Sequence, residues 1–284
     1  MQISELEAPV RLEVHKMTSL DKNIWQRNVR LLEEYCGKAI AEIEREYNDA
    51  ITGIEFEMQK KIHREPDPAL IRKYYETCNT YLFELSACDS LREQQREYHK
   101  VARFFSQHKI NKIMDFGGGV GGFCVFMKER GLDTTYFDVV GNTSRYAERK
   151  FKKLGLAITA VYDFNALEDE SFDAIHTADC LEHVPHLMEL FGKLTPKLKK
   201  DGYFILKATF SGGGIHLREN EKYRDIAFFI DQLAERKLRF LGQLKDDRLS
   251  FNVNKIIPNY GMLAVYIQYR KKHSGNYLVF RKQA

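Results

Sequence analysis

A carboxylate and five glycines lie together near the middle of this 284-residue chain, between Lys112 and Gly122. A short apolar run ends on Asp115, the glycines follow within residues 117–122, and an amphipathic stretch continues over Phe123–Arg130. Because glycine adopts a positive φ without strain and has no Cβ, such a turn lets bare backbone approach a ligand closely. The order strand, glycine turn and helix therefore predicts a binding site for a nucleoside-containing cofactor.

Two spacings fit these glycines, and they indicate different cofactors. Gly117, Gly119 and Gly122 form G-x-G-x-x-G, the dinucleotide fingerprint. Asp115 with Gly117, Gly119 and Gly121 forms D-x-G-x-G-x-G, which resembles the nucleoside-binding turn of S-adenosylmethionine (SAM) methyltransferases. The turn alone is compatible with both.

Two further segment ends carry side chains that suit a nucleoside. Asp138 ends the second predicted strand, about twenty residues after the glycines, where a carboxylate accepts ribose hydroxyls. Asp163 and Phe164 end the third predicted strand, where an acid and a ring can meet the edge and face of an adenine. Dehydrogenases and methyltransferases share the acid after the second strand, so Asp138 does not discriminate between the two cofactors.

The elements that must position these residues follow from the pattern after residue 109, where apolar runs alternate with amphipathic segments. The predicted strands are Lys112–Phe116, Thr134–Val139, Ala157–Tyr162, Phe172–Thr177, Tyr203–Ala208, Met262–Tyr269 and Asn276–Phe280. The predicted helices are Gly121–Arg130, Thr143–Leu154, Pro185–Leu198 and Glu219–Glu235. This alternation predicts an α/β fold, a Rossmann-like doubly wound parallel sheet with helices on both faces. The last two strands have too short a connection for a crossover helix, so they should form a terminal antiparallel pair.

The N-terminal part of the chain is helical by its periodicity. One apolar stripe recurs at steps of three and four residues and comprises Trp25, Val29, Leu32, Cys36, Ile40, Ile43, Tyr47, Ile51 and Ile54. Asp21 is the predicted N-cap. A continuous helix to Lys61 would be about 60 Å long, so either Gly53 breaks it or it projects and packs on a second copy of the chain.

Two prolines within Glu65–Pro68 stop this helix, and two more helices are predicted at Ala69–Ser86 and Ser90–Gln107. The tyrosines at 74, 75 and 81 are predicted to be core rather than site residues. We therefore expect an all-helical domain at residues 1–108, acting as a cap and able to form a homodimer, followed by a cofactor-binding domain at residues 109–284.

The fourth strand unit distinguishes the two cofactors. Residues 171–185 read SFDAIHTADCLEHVP, which resembles the fourth motif of class I SAM-dependent methyltransferases. Residues 198–206 are similar to the family's "LKPGG" turn and fifth strand, with Asp201 where proline is usual. The resemblance covers about residues 105–284, and it makes the dehydrogenase interpretation remote.

The resemblance implies SAM as the cofactor and assigns residues to its parts. Asp115 and the glycine turn would surround the methionine end, Asp138 would hold the ribose, and Asp179 with Cys180 would line the floor beneath the sulfonium. The predicted cofactor-binding residues are Asp115, Phe116, Gly117, Gly119, Gly121, Asp138, Asp163, Phe164, Asp179 and Cys180.

Two histidines are the predicted catalytic residues. His183 and His216 are candidate general bases, because imidazole titrates near neutrality. The stretch Asp179-x-x-Glu182-His183 is also similar to a metal-holding cluster of ubiquinone-pathway and small-RNA methyltransferases, with His216 as a fourth ligand. Since "LEHV" is widespread in methyltransferases that hold no metal, we predict no metal site. If a metal were bound, Asp179, Glu182 and His183 would be its ligands.

Composition limits the partners. The chain has 44 basic and 40 acidic side chains and a net charge of +4, a small excess that argues against a nucleic-acid partner. Five scattered cysteines without a C-x-x-C pair predict free thiols in a reducing compartment. No signal-peptide region and no window of ~20 apolar residues is present, so we expect a cytoplasmic protein that does not contact membranes.

The sequence therefore predicts a SAM-dependent methyltransferase that acts on a hydroxyl or amine of a small-molecule acceptor. One alternative is a metal-assisted RNA 2′-O-methyltransferase, which the acid and histidine cluster favours. The other is a non-catalytic protein of methyltransferase fold that binds partners through the long N-terminal helix.

Overall fold

A mixed sheet of eight strands organises the part of the chain that this computed structural model describes, residues 20–50, 52–64, 67–210, 216–245, 248–249 and 277–283. The strands are β1 Lys112–Phe116, β2 Asp133–Phe137, β3 Thr159–Val161, β4 Phe172–Ala178, β5 Leu198–Lys207, β6 Leu238–Lys245, β7 Arg248–Leu249 and β8 Tyr277–Lys282. Their order across the sheet is β3-β2-β1-β4-β5-β8-β6-β7.

The first five strands are parallel, and β8 pairs antiparallel with both β5 and β6. The predicted Rossmann-like sheet with a reversed terminal part is therefore confirmed. The predicted strand Met262–Tyr269 lies outside the described residues. Strands β6 and β7 were not predicted, because a register shift between Phe240 and Gly242 interrupts the alternation of side chains in β6.

Helices cover both faces of the sheet because successive strand residues point to opposite sides. The helices that follow β1 in the chain are α7 (Gly122–Lys128), α8 (Asn142–Lys153), α9 (Leu187–Leu194) and α10 (Ile226–Ala234). Adjacent strand residues enter two separate cores, as the pairs Ile113/Met114, Ala174/Ile175, Ile205/Phe204 and Val279/Phe280 show. One core contains α9 and α10, and the other contains α6 and α7.

Among the residues that the structure describes, six helices precede the sheet, where sequence periodicity predicted fewer and longer ones. They are α1 Lys22–Cys36, α2 Ile40–Ala50, α3 Ile54–Arg64, α4 Pro68–Thr77, α5 Thr80–Asp89 and α6 Arg92–Gln107. Asp21 caps α1 as predicted, accepting hydrogen bonds from the Asn23 and Ile24 N–H groups. The expected long helix ends at Gly37, which has φ 68°, and a second break follows at Gly53.

The predicted helix Ala69–Ser86 is wrong, because α4 ends at Thr77 and Cys78 has the extended backbone angles φ −66° and ψ 130°. The Thr-Cys-Asn sequence at this point has low helix propensity, which allows the break. Ile51 of the predicted stripe lies outside the described residues.

The apolar stripe of the first helices packs within the chain. Leu32, Ile43 and Tyr47 share a cluster with Leu82 and Phe83 of α5. Val120 and Tyr146 of the sheet region join the same cluster. The homodimer and the domain boundary at residue 108 stay predictions, and α6 packs directly on the sheet. None of the helices in the described ranges has both the length and the apolar character needed to cross a bilayer.

Candidate functional site

The glycine turn lies at the carboxyl end of β1, between that strand and α7. The Gly117 N–H donates to the Phe137 carbonyl at the end of β2, at 2.8 Å. Gly117, Gly119 and Gly121 have φ values of 72°, 53° and 74°, a backbone conformation that favours glycine. These are the glycines of the D-x-G-x-G-x-G spacing, whereas Gly122 is the first residue of α7.

Side chains of the protein itself pack against the turn. A Cβ at Gly117 would overlap the Cys180 Sγ, and a Cβ at Gly119 would lie 2.9 Å from the Leu85 Cδ1. Leu85 belongs to α5 and Cys180 follows β4. The turn is therefore in contact with the N-terminal helices on one side and with the end of the fourth strand on the other.

Asp115, the acid of the motif, is 3% exposed. Its Oδ1 accepts a hydrogen bond from His176 Nδ1 at 2.7 Å, and its Oδ2 accepts one from the Cys124 thiol at 3.6 Å. The other ring nitrogen of His176 lies 3.2 Å from the Tyr277 hydroxyl, and Phe123 stacks on the imidazole with ring centroids 3.7 Å apart. The Asp115 carboxylate is thus buried and hydrogen-bonded within the sheet.

Asp138 follows β2 and faces the glycine turn. Its Oδ2 accepts hydrogen bonds from the Gly119 N–H at 2.7 Å and from the Tyr136 hydroxyl at 3.2 Å, and its Oδ1 accepts one from the Val139 N–H at 2.7 Å. Burial raises the pKa of Asp138 to about 6, although these bonds oppose the rise. Since a carboxylate has about four acceptor positions, its Oδ1 can accept a further hydroxyl beyond the bonds described.

Three phenylalanines form an aromatic surface beside Asp138. Phe164 lies over Phe137 with ring centroids 4.5 Å apart and stacks on Phe116 at 6.1 Å. Asp163 is exposed, and its side chain caps the short 3-10 helix that begins at Phe164 by accepting from the Asn165 N–H at 3.0 Å. The structure therefore brings Phe116, Phe164 and Asp138 to one edge of the sheet, with Asp163 at its solvent side.

The end of β4 supplies Asp179 and Cys180. Asp179 has φ 50°, and its Oδ2 pairs with Lys207 Nζ at 2.8 Å. Burial raises the pKa of the Cys180 thiol, so this side chain is neutral where it packs against Gly117. The negative charge of Asp179 is offset by a lysine of the neighbouring strand.

The candidate bases His183 and His216 come together with a buried acid. A 3-10 helix at Leu181–His183 follows β4, and one ligand-type atom each of Glu182, His183 and His216 lies within 4.8 Å of the others. Glu182 is 2% exposed, and its Oε1 accepts from the Thr209 N–H at 3.1 Å. Burial raises the pKa of Glu182 to about 7.

Two tyrosines of the helical region border this cluster. The Tyr75 ring lies edge-on to His183, with ring centroids 6.3 Å apart, and it stacks on Tyr81 at 5.9 Å and 10°. Burial raises the pKa of both hydroxyls. Tyr75 was predicted to be core, and the structure places it against a candidate site residue.

Comparison with known proteins identifies the family of the chain. A family model described as a methyltransferase domain matches residues 90–239, which is more than half of the chain. The chain belongs to this methyltransferase family.

The curated relatives of this methyltransferase-family chain include phosphoethanolamine N-methyltransferase 2 of Caenorhabditis elegans, 28% identical over 149 residues. That alignment covers 48% of this chain, which spans about a third (33%) of the relative's length.

Solved structures with a similar fold include phosphoethanolamine N-methyltransferase 2 of Haemonchus contortus in complex with phosphomonomethylethanolamine and S-adenosylhomocysteine. It has a TM-score of 0.42 and 17% identity, over 61% of this chain and 48% of that one. A SAM-dependent methyltransferase of Clostridium acetobutylicum has a TM-score of 0.45 and 14% identity, over 66% and 92% of the two chains. At this level of similarity neither structure indicates the acceptor.

Three residues at the candidate site of this methyltransferase-family chain were not predicted. Leu85 covers Gly119, and the Asp89 carboxylate fills the space beside Gly122. Both belong to the helical region, for which no motif was available. The third, His176, carried a signal: a polar side chain within a buried strand needs a hydrogen-bond partner, and Asp115 is the residue opposite it in the sheet.

Proposed function

We propose that this chain is a SAM-dependent methyltransferase that transfers a methyl group to a hydroxyl or amine of a small-molecule acceptor. The observation that carries this proposal is the 2.7 Å hydrogen bond from the Gly119 N–H to Asp138 Oδ2. It joins the glycine turn to the acid that suits a ribose, in a chain of the methyltransferase family. The site also lies where β1 separates β2 from β4, the point of strand-order reversal at which open α/β sheets bind ligands.

The residues present fit SAM. The open acceptor position on Asp138 suits one ribose hydroxyl, and the aromatic surface of Phe116 and Phe164 suits an adenine face. The turn glycines leave no Cβ between the backbone and the methionine end. Asp115 contributes by holding the turn from within the sheet, since its carboxylate is engaged by His176.

SAM, when bound, supplies a methyl group that is already activated on a cationic sulfur. The chain therefore has to align the acceptor and exclude water rather than provide covalent chemistry. The neutral Cys180 thiol and the half-buried rings of Tyr75 and Tyr81 are suited to excluding water. Helix α5 contacts the turn through Leu85, which supports a role for the N-terminal helices as a cap over the cofactor.

The acceptor side of the site is proposed to lie at His183 and His216, next to Tyr75. Either imidazole could take the proton that a hydroxyl or amine loses on methylation. The same ring-nitrogen lone pairs could instead hold a cation, which would replace the general-base role. The named acceptor of the Caenorhabditis elegans relative is an amine, phosphoethanolamine, and amines belong to the proposed class.

A cytoplasmic location is part of the proposal. Cys36, Cys88, Cys124 and Cys180 are free thiols in the structure. Free thiols, of which Cys124 is fully buried, are typical of proteins kept in a reducing compartment.

The test is a calorimetric titration of the full, untagged chain with S-adenosylhomocysteine. We expect one binding site, and Asp138→Asn should weaken it at least about tenfold because a hydrogen bond to a charged group is lost. Asp133→Asn, at the opposite end of the same strand, is the matched control and should bind normally. NADH should not bind. No binding of SAM or S-adenosylhomocysteine would contradict the proposal and favour the non-catalytic alternative.

The metal-assisted RNA 2′-O-methyltransferase stays a second candidate, because Glu182, His183 and His216 come together. Transfer from labelled SAM to a small-molecule pool, with none to RNA, would exclude it. The reverse result would favour it over the small-molecule acceptor.

A further inference from the structure

The end of β4 carries a group of side chains whose chemistry differs from the rest of the site. Glu182, His183 and His216 bring one carboxylate and two imidazoles together, with their nearest ligand-type atoms all within 4.8 Å of one another. Ligands of one divalent ion at ~2.1 Å lie about 3.4 Å apart in tetrahedral geometry. Side-chain movements of about 1 Å would therefore close the group around an ion.

The backbone that carries these three side chains is fixed by the fold. The Leu217 N–H, next to His216, donates to the Glu182 carbonyl at 3.0 Å. The Asn220 amide, 2% exposed, donates to the carbonyls of Leu181 at 3.2 Å and Val184 at 2.9 Å. Two segments more than thirty residues apart in the chain are thus held together at the point where the three side chains meet.

The carboxylate of Glu182 is oriented but incompletely satisfied. Its Oε1 accepts from the Thr209 N–H, while its Oε2 is buried and has no hydrogen-bond partner in the described part of the chain. A buried carboxylate oxygen without a partner is costly. A cation coordinated at this oxygen would remove the cost.

Asp179, which the sequence grouped with Glu182 and His183, is not part of this arrangement. Its carboxylate is exposed and pairs with Lys207. The set is therefore one acid and two imidazoles, with His216 in the place of Asp179.

We propose that Glu182, His183 and His216 bind one first-row transition-metal ion of the Zn²⁺ class, in place of the predicted absence of metal. Two imidazoles and a carboxylate suit such an ion, whereas Mg²⁺ and Ca²⁺ prefer oxygen ligands. Three protein ligands leave a coordination position open, as in catalytic rather than structural sites.

The open position gives the site its role, and this part of the inference rests on the proposed function. His183 borders Tyr75 of the helical region, and Cys180, three residues earlier, packs on the cofactor turn. A ligand of the ion would therefore lie between the two regions, where the acceptor is expected. Metal coordination lowers the pKa of a bound hydroxyl, so the site selects an acceptor with an oxygen ligand, whose proton passes to water.

The experiment uses the full, untagged chain stripped of metal with a chelator and then titrated with Co²⁺ by visible absorption and with Zn²⁺ by calorimetry. We expect one equivalent of each ion to bind, with Co²⁺ giving d–d bands. Glu182→Gln and His216→Ala should each weaken binding by about 100-fold or more, because loss of an outer-shell partner alone costs 10–100-fold. Asn220→Ala should weaken ion binding by about 10–100-fold, the range given for loss of an outer-shell partner.

Two matched variants keep the test specific. Asp179→Asn and His186→Asn change residues near the proposed ligands. Both positions have a positive φ, which Asn tolerates, and both variants should bind the ion as the unaltered chain does. Circular dichroism of every variant separates loss of a ligand from loss of folding. The metal site would be overturned if the unaltered chain bound no ion, or if folded Glu182→Gln and His216→Ala bound it as tightly as the unaltered chain does.

The same preparations are titrated with S-adenosylhomocysteine. Binding of the cofactor without binding of an ion would refute the metal site and leave the proposed function in place. Binding of one ion without the cofactor would support the metal site and refute the proposed function.

Discussion

His176 and Asp115 are directly opposite each other on the parallel strands β4 and β1, and the imidazole Nδ1 lies 2.7 Å from the carboxylate. Both side chains are buried, at 2% and 5% exposure. Because a carboxylate only accepts hydrogen bonds, Nδ1 carries the proton and Nε2 faces the Tyr277 hydroxyl. The motif acid is thereby fixed in place from three strands of the sheet.

We expect His176→Leu to destabilise the protein by about 3 kcal/mol, because it leaves a buried carboxylate without its main partner. Equilibrium unfolding in urea measures the change. Tyr277→Phe is the matched control and should cost only about 1 kcal/mol, since it removes a single hydrogen bond. Equal losses for the two variants would show that Asp115 does not depend on His176.

The second prediction separates backbone strain from close packing in the glycine turn. Gly117 and Gly155 have similar φ values, 72° and 65°, but a Cβ at Gly155 would meet nothing within 4 Å. Alanine should cost about 1–2 kcal/mol at both positions through φ, and a further 1–3 kcal/mol or so at Gly117 through overlap with Cys180.

Chemical denaturation of Gly117→Ala, Gly155→Ala and the double variant Gly117→Ala with Cys180→Gly measures the two contributions. Measured relative to Cys180→Gly alone, the double variant should no longer show the loss of stability that comes from overlap with Cys180. The loss that comes from the positive φ should remain. A Gly117→Ala variant no less stable than Gly155→Ala would contradict the packing found at the turn.

The third prediction concerns pH and Asp138, whose pKa burial raises to about 6. Protonation of Asp138 removes an acceptor position that the ribose hydroxyl needs, so the ionised form should bind the ligand. The affinity for S-adenosylhomocysteine should therefore be constant well above pH 6 and about tenfold weaker one unit below it. Asp138→Asn should bind weakly with a flatter pH profile. Calorimetric titrations from about one pH unit below this pKa to about two units above it give the comparison.

The same group has the opposite effect on the ligand-free protein. Because its pKa is raised on folding, the folded state holds the proton more tightly than the unfolded state. Its contribution to stability is therefore present at low pH and is lost as the pH rises towards and through about 6. The difference in unfolding free energy between the unaltered chain and Asp138→Asn should follow that sign, and the opposite slope would reject the raised pKa.

The sequence predicted the sheet better than the helices for a physical reason. Strand β1 begins and ends where the apolar run and the glycines indicated, because both signals are local. The break at Gly37 was missed because the apolar stripe has the same 3.6-residue period on both sides of it, so the periodicity cannot reveal a chain that folds back.

The candidate site was predictable to the extent that single strand ends contribute to it. Asp138 and the glycines follow their strands and meet at one edge, as parallel topology requires. Leu85 over Gly119 and His216 beside Glu182 join segments more than thirty residues apart, and no local pattern encodes such contacts.

The fourth prediction concerns the contact between the helical region and the sheet region. Lys150 of α8 and Asp89 of α5 form an ion pair at 3.3 Å, with side chains 0% and 5% exposed, and the Asn28 amide also donates to Asp89 at 3.2 Å. Because removal of one partner leaves a buried charge uncompensated, Lys150→Met should cost about 3–5 kcal/mol.

Lys38→Met, which breaks the exposed pair with Glu46, is the control and should change stability little because solvent screens that pair. Adding Asp89→Asn to Lys150→Met should restore part of the loss, since the buried charge is then absent. Asp89 lies beside Gly122 at the end of the glycine turn, where the cofactor is proposed to bind, so Lys150→Met should also weaken S-adenosylhomocysteine binding. Unfolding and calorimetry together test this: a variant that loses stability but binds normally would separate the ion pair from the site.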